Sequence, residues 1–132
     1  MINDKVRKKL EQDEVIWLTT IRPDGQPQAS VVWFVLEGEE LLIYSKKDTI
    51  RNRNIVANPK VSLNLNSTPQ GGGVVTMEGT ARVDMDAPRP AENPPYLGKY
   101  LERIESYKWT ADKFGNDYPV PIRITIDRVR NS

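Results

Sequence analysis

Four basic side chains lie close together just after an apolar run. Residues 46–53, here called the basic segment, contain Lys46, Lys47, Arg51 and Arg53, and they follow the abrupt end of the run Leu-Leu-Ile-Tyr. An arginine fork combined with an ammonium group suits a phosphate ester, because the fork donates two parallel hydrogen bonds and the ammonium adds a compact charge. The basic segment is therefore a candidate phosphate site.

The positions around the basic segment can contribute to such a site. Ser45 offers a hydroxyl at the end of the preceding run, and Asp48 or Thr49 can cap a short helix that ends before an Asn-Pro pair. A helix N-terminus presents free N–H groups to an anion, and Arg51 in the first turn can reach the same point as Lys46. Asp48 can also satisfy that helix end. The residues alone therefore leave two interpretations open, an anion site and a solvent-exposed basic turn.

Composition removes most of the side-chain chemistry that enzymes use. The chain of 132 residues contains no cysteine and no histidine, so it lacks thiolate nucleophiles, the usual catalytic triads and the commonest metal ligand. A net charge of +1 provides no global basic field for nucleic-acid binding, so any anion site must be local. A redox cofactor fits this deficit, because a flavin-type ring transfers hydride itself and the protein only has to bind, orient and shield it.

Other motifs do not indicate a catalytic site. The glycine-rich run QGGGVV, residues 70–75, lacks the Gly-Lys-Ser/Thr continuation and the following helix of a phosphate-binding loop, and we interpret it as a flexible hairpin loop. Asp84, Asp86 and Glu92 lie in or beside a proline-rich connector with no register to pair them as a carboxylate dyad. We therefore nominate no catalytic side chain and no metal ligand.

The length and the apolar runs predict one domain, residues 1–132, in the cytoplasm. The first residues, MINDKVRKKLEQDE, are too polar for a signal peptide, and no apolar run approaches the roughly 20 residues of a membrane span. We expect neither a membrane nor a nucleic acid as a partner.

The elements that must position the basic segment are mainly strands. Alternating, β-branched and aromatic runs predict six strands, over residues 15–22, 28–36, 41–45, 60–66, 74–84 and 120–129. Helical spacing predicts helices over 3–13, from about 49, around 97–107 and after Thr110. Gly79 suggests a bulge or a close backbone approach in its strand. Six strands with short turns predict a mainly β fold, a closed or nearly closed antiparallel barrel with few helices.

The strand predicted over 28–36 is apolar on both faces. One face contains Val32 and Phe34, and the other contains Val31 and Trp33. A small barrel buries one face of a strand, so the other needs a cover, for which we expect a second subunit or a flat ligand. Homodimerisation is therefore a prediction. Six aromatic residues are interpreted as core or dimer contacts rather than cofactor-stacking groups; they are Trp33, Phe34, Tyr96, Tyr100, Tyr107 and Trp109.

An ordered series of segments resembles a known family. The series consists of residues 15–66 with YSKKDTIRNRNI at their centre, then GGGVVTMEGTARV, YLGKY and YPVPIRIT, and the similarity extends from about residue 12 to residue 130. It resembles the split β-barrel flavin and deazaflavin oxidoreductases, the relatives of pyridoxamine 5′-phosphate oxidase. More narrowly, it resembles a subfamily of small coenzyme F420-dependent enzymes. The resemblance implies a six-stranded antiparallel split β-barrel that forms a homodimer with two cofactor sites at its interface.

The resemblance also implies which positions bind the cofactor. The ring would lie along the second and third strands, and the phosphate would meet basic residues after the third strand. The implied cofactor-binding residues are Gln28, Ser30, Val32, Trp33, Tyr44, Ser45, Lys46, Lys47 and Arg51. Relatives commonly have lysine where this chain has Arg51, which keeps the charge and changes the reach. Arg53 is not required by the resemblance and counts as a surface charge.

These observations together predict an oxidoreductase. Reduced coenzyme F420 would pass hydride to a small planar organic substrate with an activated double bond, and solvent would supply the proton. The alternative cofactor is FMN, in an oxidase or reductase of the same fold. The chain lacks the C-terminal basic and histidine residues with which true pyridoxamine phosphate oxidases hold their substrate. A non-catalytic flavin or haem carrier is a further alternative, although haem would lack a histidine or cysteine ligand.

Overall fold

The computed structural model describes residues 2–132, which form one curled antiparallel sheet with four α-helices. The helices are α1 (Asp4–Gln12), α2 (Ile50–Ala57), α3 (Pro94–Ser106) and α4 (Ala111–Asp117). The strands are β1 (Val15–Ile21), β2 (Pro27–Trp33), β3 (Val35–Glu37), β4 (Glu40–Ser45), β5 (Lys60–Asn64), β6 (Val75–Val83) and β7 (Val120–Asn131). A single 3₁₀ turn, Pro90–Glu92, precedes α3.

The strands are hydrogen-bonded in the order β2-β1-β5-β6-β7-β4-β3. Every pairing is antiparallel, so the mainly β fold is confirmed. The sheet curls into a half-barrel, and its edge strand β2 comes back near β4. The open side of the barrel between β2 and β4 is the place where the basic segment begins.

The sheet has seven strands, so the predicted number of six was wrong. The single strand predicted over 28–36 is interrupted at Phe34, and its two parts, β2 and β3, pair at opposite edges of the sheet. The Tyr100 hydroxyl accepts a hydrogen bond from the Phe34 N–H at 2.9 Å and lies 2.7 Å from the Phe34 carbonyl. Lys99 donates to the same carbonyl at 3.1 Å. Side chains of α3 thus replace strand partners at this residue, which lets the chain leave one edge and join the other.

The barrel interior is the main hydrophobic core. Each strand contributes its alternate apolar residues, as the spacing of Val61, Leu63 and Leu65 and of Ile122, Ile124 and Ile126 predicted. Full burial of each such side chain contributes about 1.5–3 kcal/mol. Gly79 has the predicted close approach, because a Cβ there would lie 2.8 Å from the Thr125 carbonyl oxygen, and the β6–β7 register shifts beside it.

A second apolar cluster lies on the outside of β4, under α3 and α4. It joins Leu42 and Tyr44 of the strand to Tyr96, Tyr100 and other helical side chains. The partly buried Trp33 packs against it. Helices of the same chain therefore cover part of the outer face for which the sequence predicted a partner subunit or a ligand. In the rest of that face, Val31 and its neighbour Ala29 stay exposed.

Helix α2 starts where the sequence predicted and is firmly attached to the sheet. The Thr49 hydroxyl caps it by accepting from the Asn52 N–H at 3.1 Å, so Thr49 rather than Asp48 is the cap. The buried Asn54 side chain donates to the Thr20 hydroxyl and to the side-chain amide oxygen Oε1 of Gln28, both at 3.0 Å. These bonds fix the orientation of the first helical turn, which carries Arg51. No helix among residues 2–132 has the length and apolar character to cross a membrane.

Candidate functional site

The Arg51 side chain bridges the open side of the barrel. Its Nη1 donates to the Ser30 hydroxyl on β2 at 3.0 Å, and its Nη2 donates to the Ser45 hydroxyl at the end of β4 at 2.9 Å. These strands stand five neighbours apart in the sheet order, so their approach at this point results from the curl. The three residues form one hydrogen-bonded group at the start of the basic segment.

The charge of Arg51 is not balanced by a neighbouring acid. Both hydrogen-bond acceptors are neutral hydroxyls, and the guanidinium makes no ion pair with a carboxylate of residues 2–132. Its buried Nε has no hydrogen-bond partner. Burial lowers the pKa of Arg51, yet an arginine guanidinium keeps its proton in proteins. A buried positive charge without a counter-charge is costly, and an anion bound beside it would offset that cost.

A polar cavity of about 270 Å³ lies on one side of the group. Its lining includes Gln28 and Ser30 of β2, Thr49 at the start of α2, and Arg51. The first turn of α2 adds backbone N–H groups that have no partner within the helix. Hydroxyl, amide and guanidinium groups around a helix N-terminus can bind an anion such as a phosphate.

An aromatic cavity of about 310 Å³ shares only Arg51 with the polar cavity. Its size falls at the lower end of the range for small-molecule sites, about 300–1,000 Å³. It is lined by Val31, Val32, Trp33, Tyr44, Arg51, Tyr96, Tyr107, Trp109, Phe114 and Tyr118. Seven of these ten side chains are neutral rings, so the cavity suits a flat, largely apolar ligand.

The rings of the aromatic cavity are held by one another. Trp33 stacks on Tyr100 with ring centroids 4.8 Å apart and lies 5.5 Å from Phe114. Phe114 in turn stacks on Tyr118 at 4.6 Å. Tyr107 and Trp109, which lie in the α3–α4 connection, are more exposed, at 52% and 38%. The inner rings of the cavity are thus held by packing against one another, whereas Tyr107 and Trp109 at its rim are partly exposed to solvent.

The tyrosine hydroxyls around the cavity differ in their hydrogen bonding. Tyr44 donates to the Pro88 carbonyl at 2.5 Å and accepts from the Asn93 amide at 3.0 Å. The hydroxyl of Tyr96, a fully buried residue, has no hydrogen-bond partner in the chain. Burial raises the pKa of Tyr96, so its hydroxyl stays neutral and can donate a hydrogen bond.

The structure brings most of the predicted site residues together around these two cavities. Arg51, Ser30 and Ser45 form the hydrogen-bonded group, and Gln28 lines the polar cavity. The remaining strand residues named by the sequence line the aromatic cavity; they are Val32, Trp33 and Tyr44. The predicted ring-binding positions therefore surround Arg51, although Gln28 and Ser30 are at or beside the polar cavity and not the aromatic one.

Two of the predicted phosphate ligands do not belong to the lining of either cavity. Lys46 and Lys47 are exposed and line neither one. The Lys46 Nζ lies 5.4 Å from the centre of the Tyr118 ring, at the edge of the aromatic cavity. Arg53 is also exposed and donates to the Asp48 carbonyl at 2.9 Å, as expected for a surface charge.

Sequence reasoning missed the residues that α3 and α4 contribute. Tyr96, Phe114 and Tyr118 line the aromatic cavity. Tyr96 was interpreted as a core or dimer contact, and Phe114 and Tyr118 were not considered. That interpretation holds for Tyr100, which is buried and does not line the cavity. Helical spacing predicts which face of the helix is buried, but it does not predict which aromatic side chain on that face lines a cavity.

The family comparison identifies the domain type over the described chain. The family model for pyridoxamine 5′-phosphate oxidase matches residues 2–132. No curated protein sequence matches the chain significantly.

Solved structures share the fold. Protein Rv2991 of Mycobacterium tuberculosis superposes with a TM-score of 0.77 at 22% identity, covering 99% of this chain and 84% of that one. A structure described as an F420 reductase gives a TM-score of 0.69 at 24% identity, covering 94% of each chain. HutZ, the haem storage protein of Vibrio cholerae, gives 0.67 at 17% identity, covering 99% of this chain and 95% of that one. Superpositions at such low sequence identity establish the common fold, and the ligand has to be inferred from the residues of the site.

Proposed function

The chain belongs to the pyridoxamine 5′-phosphate oxidase family, and from that premise we propose that it is an oxidoreductase that uses reduced coenzyme F420. Its substrate is a small planar organic molecule with an activated double bond. The observation that carries this proposal is Arg51, a partly buried cation without a counter-charge that lines both a polar and an aromatic cavity. A ligand that combines a phosphate with a flat ring system matches that arrangement.

The residues of the polar cavity would hold the phosphate end. Arg51 carries the positive charge at this end. Ser30 and Ser45 hold the guanidinium in place, so little side-chain freedom is lost when the anion binds. Lys46 and Lys47 stand near the same helix start and add positive charge from solvent.

The residues of the aromatic cavity would hold the ring. Trp33 and Tyr118 offer apolar faces, and the packing of Trp33 against Tyr100 keeps its ring in position. Val32 and Tyr44 complete the wall along the strands and exclude water from the ring. When bound, the deazaflavin supplies the hydride chemistry for which this chain has no cysteine or histidine of its own.

We propose that the active form is a homodimer. Trp17 and Val31 are neighbours across β1 and β2, and they remain 37% and 46% exposed. Val31 also lines the aromatic cavity, so the exposed apolar face continues into the site. A second subunit on this face would bury the strand surface and close the cavity at the same time.

FMN is the second candidate, because its tail also begins with a phosphate and its ring is also flat. The polar and aromatic cavities suit both cofactors. A haem carrier is less well supported, since the chain has no histidine or cysteine and the Tyr44 hydroxyl is already engaged by Pro88 and Asn93.

Ligand titration tests the proposal. Purified protein is titrated with F420, FMN and riboflavin, the last being a flavin ring without a phosphate, and binding is followed by fluorescence. We expect Arg51→Ala to weaken the binding of F420 or FMN by about 1.5–3 kcal/mol, because it removes a charged hydrogen bond, and to leave riboflavin binding nearly unchanged. Arg53→Ala is the matched control and should bind all ligands as the wild type does.

The outcomes separate the alternatives. Absence of binding to both F420 and FMN would refute the cofactor proposal. Equal loss of riboflavin binding in Arg51→Ala would mean that Arg51 supports the fold of the site and not the phosphate. Tight binding without oxidation of the reduced cofactor by a panel of quinones and enones would favour a flavin carrier.

A further inference from the structure

Two buried tyrosines on α3 differ in whether their hydroxyl groups have hydrogen-bond partners. Tyr96 and Tyr100 lie one helical turn apart, their ring centroids are 4.8 Å apart, and both residues are fully buried. The Tyr100 hydroxyl accepts from the Phe34 N–H and lies within hydrogen-bond distance of the Glu14 and Phe34 carbonyls. The Tyr96 hydroxyl has no partner in the chain.

An unpartnered hydroxyl in this position is costly to the folded protein. Burial of a polar group without a hydrogen bond destabilises a protein by about 1–3 kcal/mol. Phenylalanine would fill the same volume without that cost, and the surrounding rings of Tyr44, Tyr100 and Phe114 would pack against it equally well. The fold therefore provides no reason for a hydroxyl at residue 96.

The cavity does provide a reason. Tyr96 lines the aromatic cavity, whereas Tyr100 does not. The other unpartnered donor of that lining is the Nε of Arg51. Two unsatisfied donors around one cavity indicate a ligand whose edge carries hydrogen-bond acceptors.

We propose that the Tyr96 hydroxyl donates a hydrogen bond to an acceptor atom, a carbonyl oxygen or a ring nitrogen, on the edge of the flat ring bound in the aromatic cavity. The inference rests on the proposed function, because it takes that ring to be the flavin-type ring. Tyr96 then sets the orientation of the ring in its plane, while Arg51 sets the position of the phosphate.

The test compares Tyr96→Phe with Tyr100→Phe. Thermal unfolding of each ligand-free protein and titration with FMN, F420 and riboflavin are measured side by side. We expect Tyr96→Phe to unfold at the wild-type temperature or higher. It should bind riboflavin, and whichever of FMN and F420 the wild type binds, about five- to tenfold more weakly. Tyr100→Phe should unfold at a lower temperature, because it loses satisfied hydrogen bonds, and it therefore serves as the stability contrast.

Each contrary result has a distinct meaning. If Tyr96→Phe binds these ligands as tightly as the wild type does, the hydroxyl does not contact the ring and the inference is wrong, although the proposed function stands. A lower unfolding temperature for ligand-free Tyr96→Phe would show a structural role for the hydroxyl and also overturn the inference. If the wild type binds none of the three ligands, the proposed function and this inference fail together.

Discussion

Arg51 and Arg123 are both partly buried, and each donates hydrogen bonds to two side chains, yet their surroundings carry different charges. Arg123 donates to Asp84 and Glu37, both at 2.8 Å, and the two carboxylates balance its charge. Arg51 donates to two serine hydroxyls and keeps its full positive charge. The two arginines make the same number of hydrogen bonds to side chains, and they differ in whether a carboxylate balances the positive charge.

The difference distinguishes a structural cation from one that is available to a ligand. Arg123 of β7 joins β3 to the segment after β6, and its pairing with Glu37 raises its pKa. Burial instead lowers the pKa of Arg51. A folded protein gains stability from the first arrangement, whereas the second becomes favourable only when an anion binds.

The comparison predicts its largest effect in thermal stability. Arg123→Met should lower the unfolding temperature by about 5 °C or more, because it leaves two carboxylates beside each other without a counter-charge. Arg51→Met should leave that temperature unchanged or raise it, because it removes an uncompensated charge. Calorimetry of the ligand-free variants measures both shifts, and a comparable loss in Arg51→Met would show that Arg51 is as structural as Arg123.

A smaller effect is expected from the serines that hold Arg51. Ser30→Ala and Ser45→Ala each remove one acceptor, so the guanidinium loses its fixed orientation and FMN or F420 should bind about three- to tenfold more weakly. Ser62→Ala, at an exposed serine of β5, is the control and should have no effect. Unchanged affinity in both site variants would mean that Arg51 positions itself without the hydroxyls.

The smallest effect concerns the pH dependence of stability. The hydrogen bond from Arg123 holds the pKa of Asp84 below its usual range, so the folded state binds its proton less readily than the unfolded state does. The contribution of Asp84 is complete above the unfolded-state pKa, about 3.9, and is lost as the pH falls through the lowered value. Arg123→Met should reduce this part of the acid dependence in denaturant titrations between neutral pH and the acid range, because it removes the largest cause of the lowered pKa. Arg51→Met should keep it, because Arg51 has no carboxylate partner.

Most of the fold was predictable because its signals are local. Period-two alternation gave the faces of β5 and β7, and the position of Thr49 gave the start of α2. The break at Phe34 was not predictable, because the apolar run continues through it. The break depends on Tyr100, a residue 66 positions away, which satisfies the Phe34 backbone in place of a strand partner.

The candidate site was predictable in part for the same reason. The basic segment was predicted from its residue types, and the neighbouring strand residues were implied by the family resemblance. The resemblance set Arg53 aside as a surface charge and kept Lys46, Lys47 and Arg51 as phosphate ligands. The curl of the sheet distinguishes them, because it brings Ser30 and Ser45 to either side of the Arg51 guanidinium and leaves Lys46, Lys47 and Arg53 exposed. The aromatic wall from α3 and α4 could not be assigned, since helical spacing does not tell a packed ring from one that borders a cavity.

The sequence by itself determined the mainly β character, the absence of histidine and cysteine chemistry, and a local cluster of positive charge after an apolar strand. These depend on residue types and on contacts between near neighbours along the chain. Only the tertiary structure decided which cation lacks a counter-charge, which tyrosine hydroxyl lacks a partner and which side chains surround a common volume. Each of those properties depends on groups from distant parts of the chain, and they exist only after the curled sheet and its covering helices have packed together.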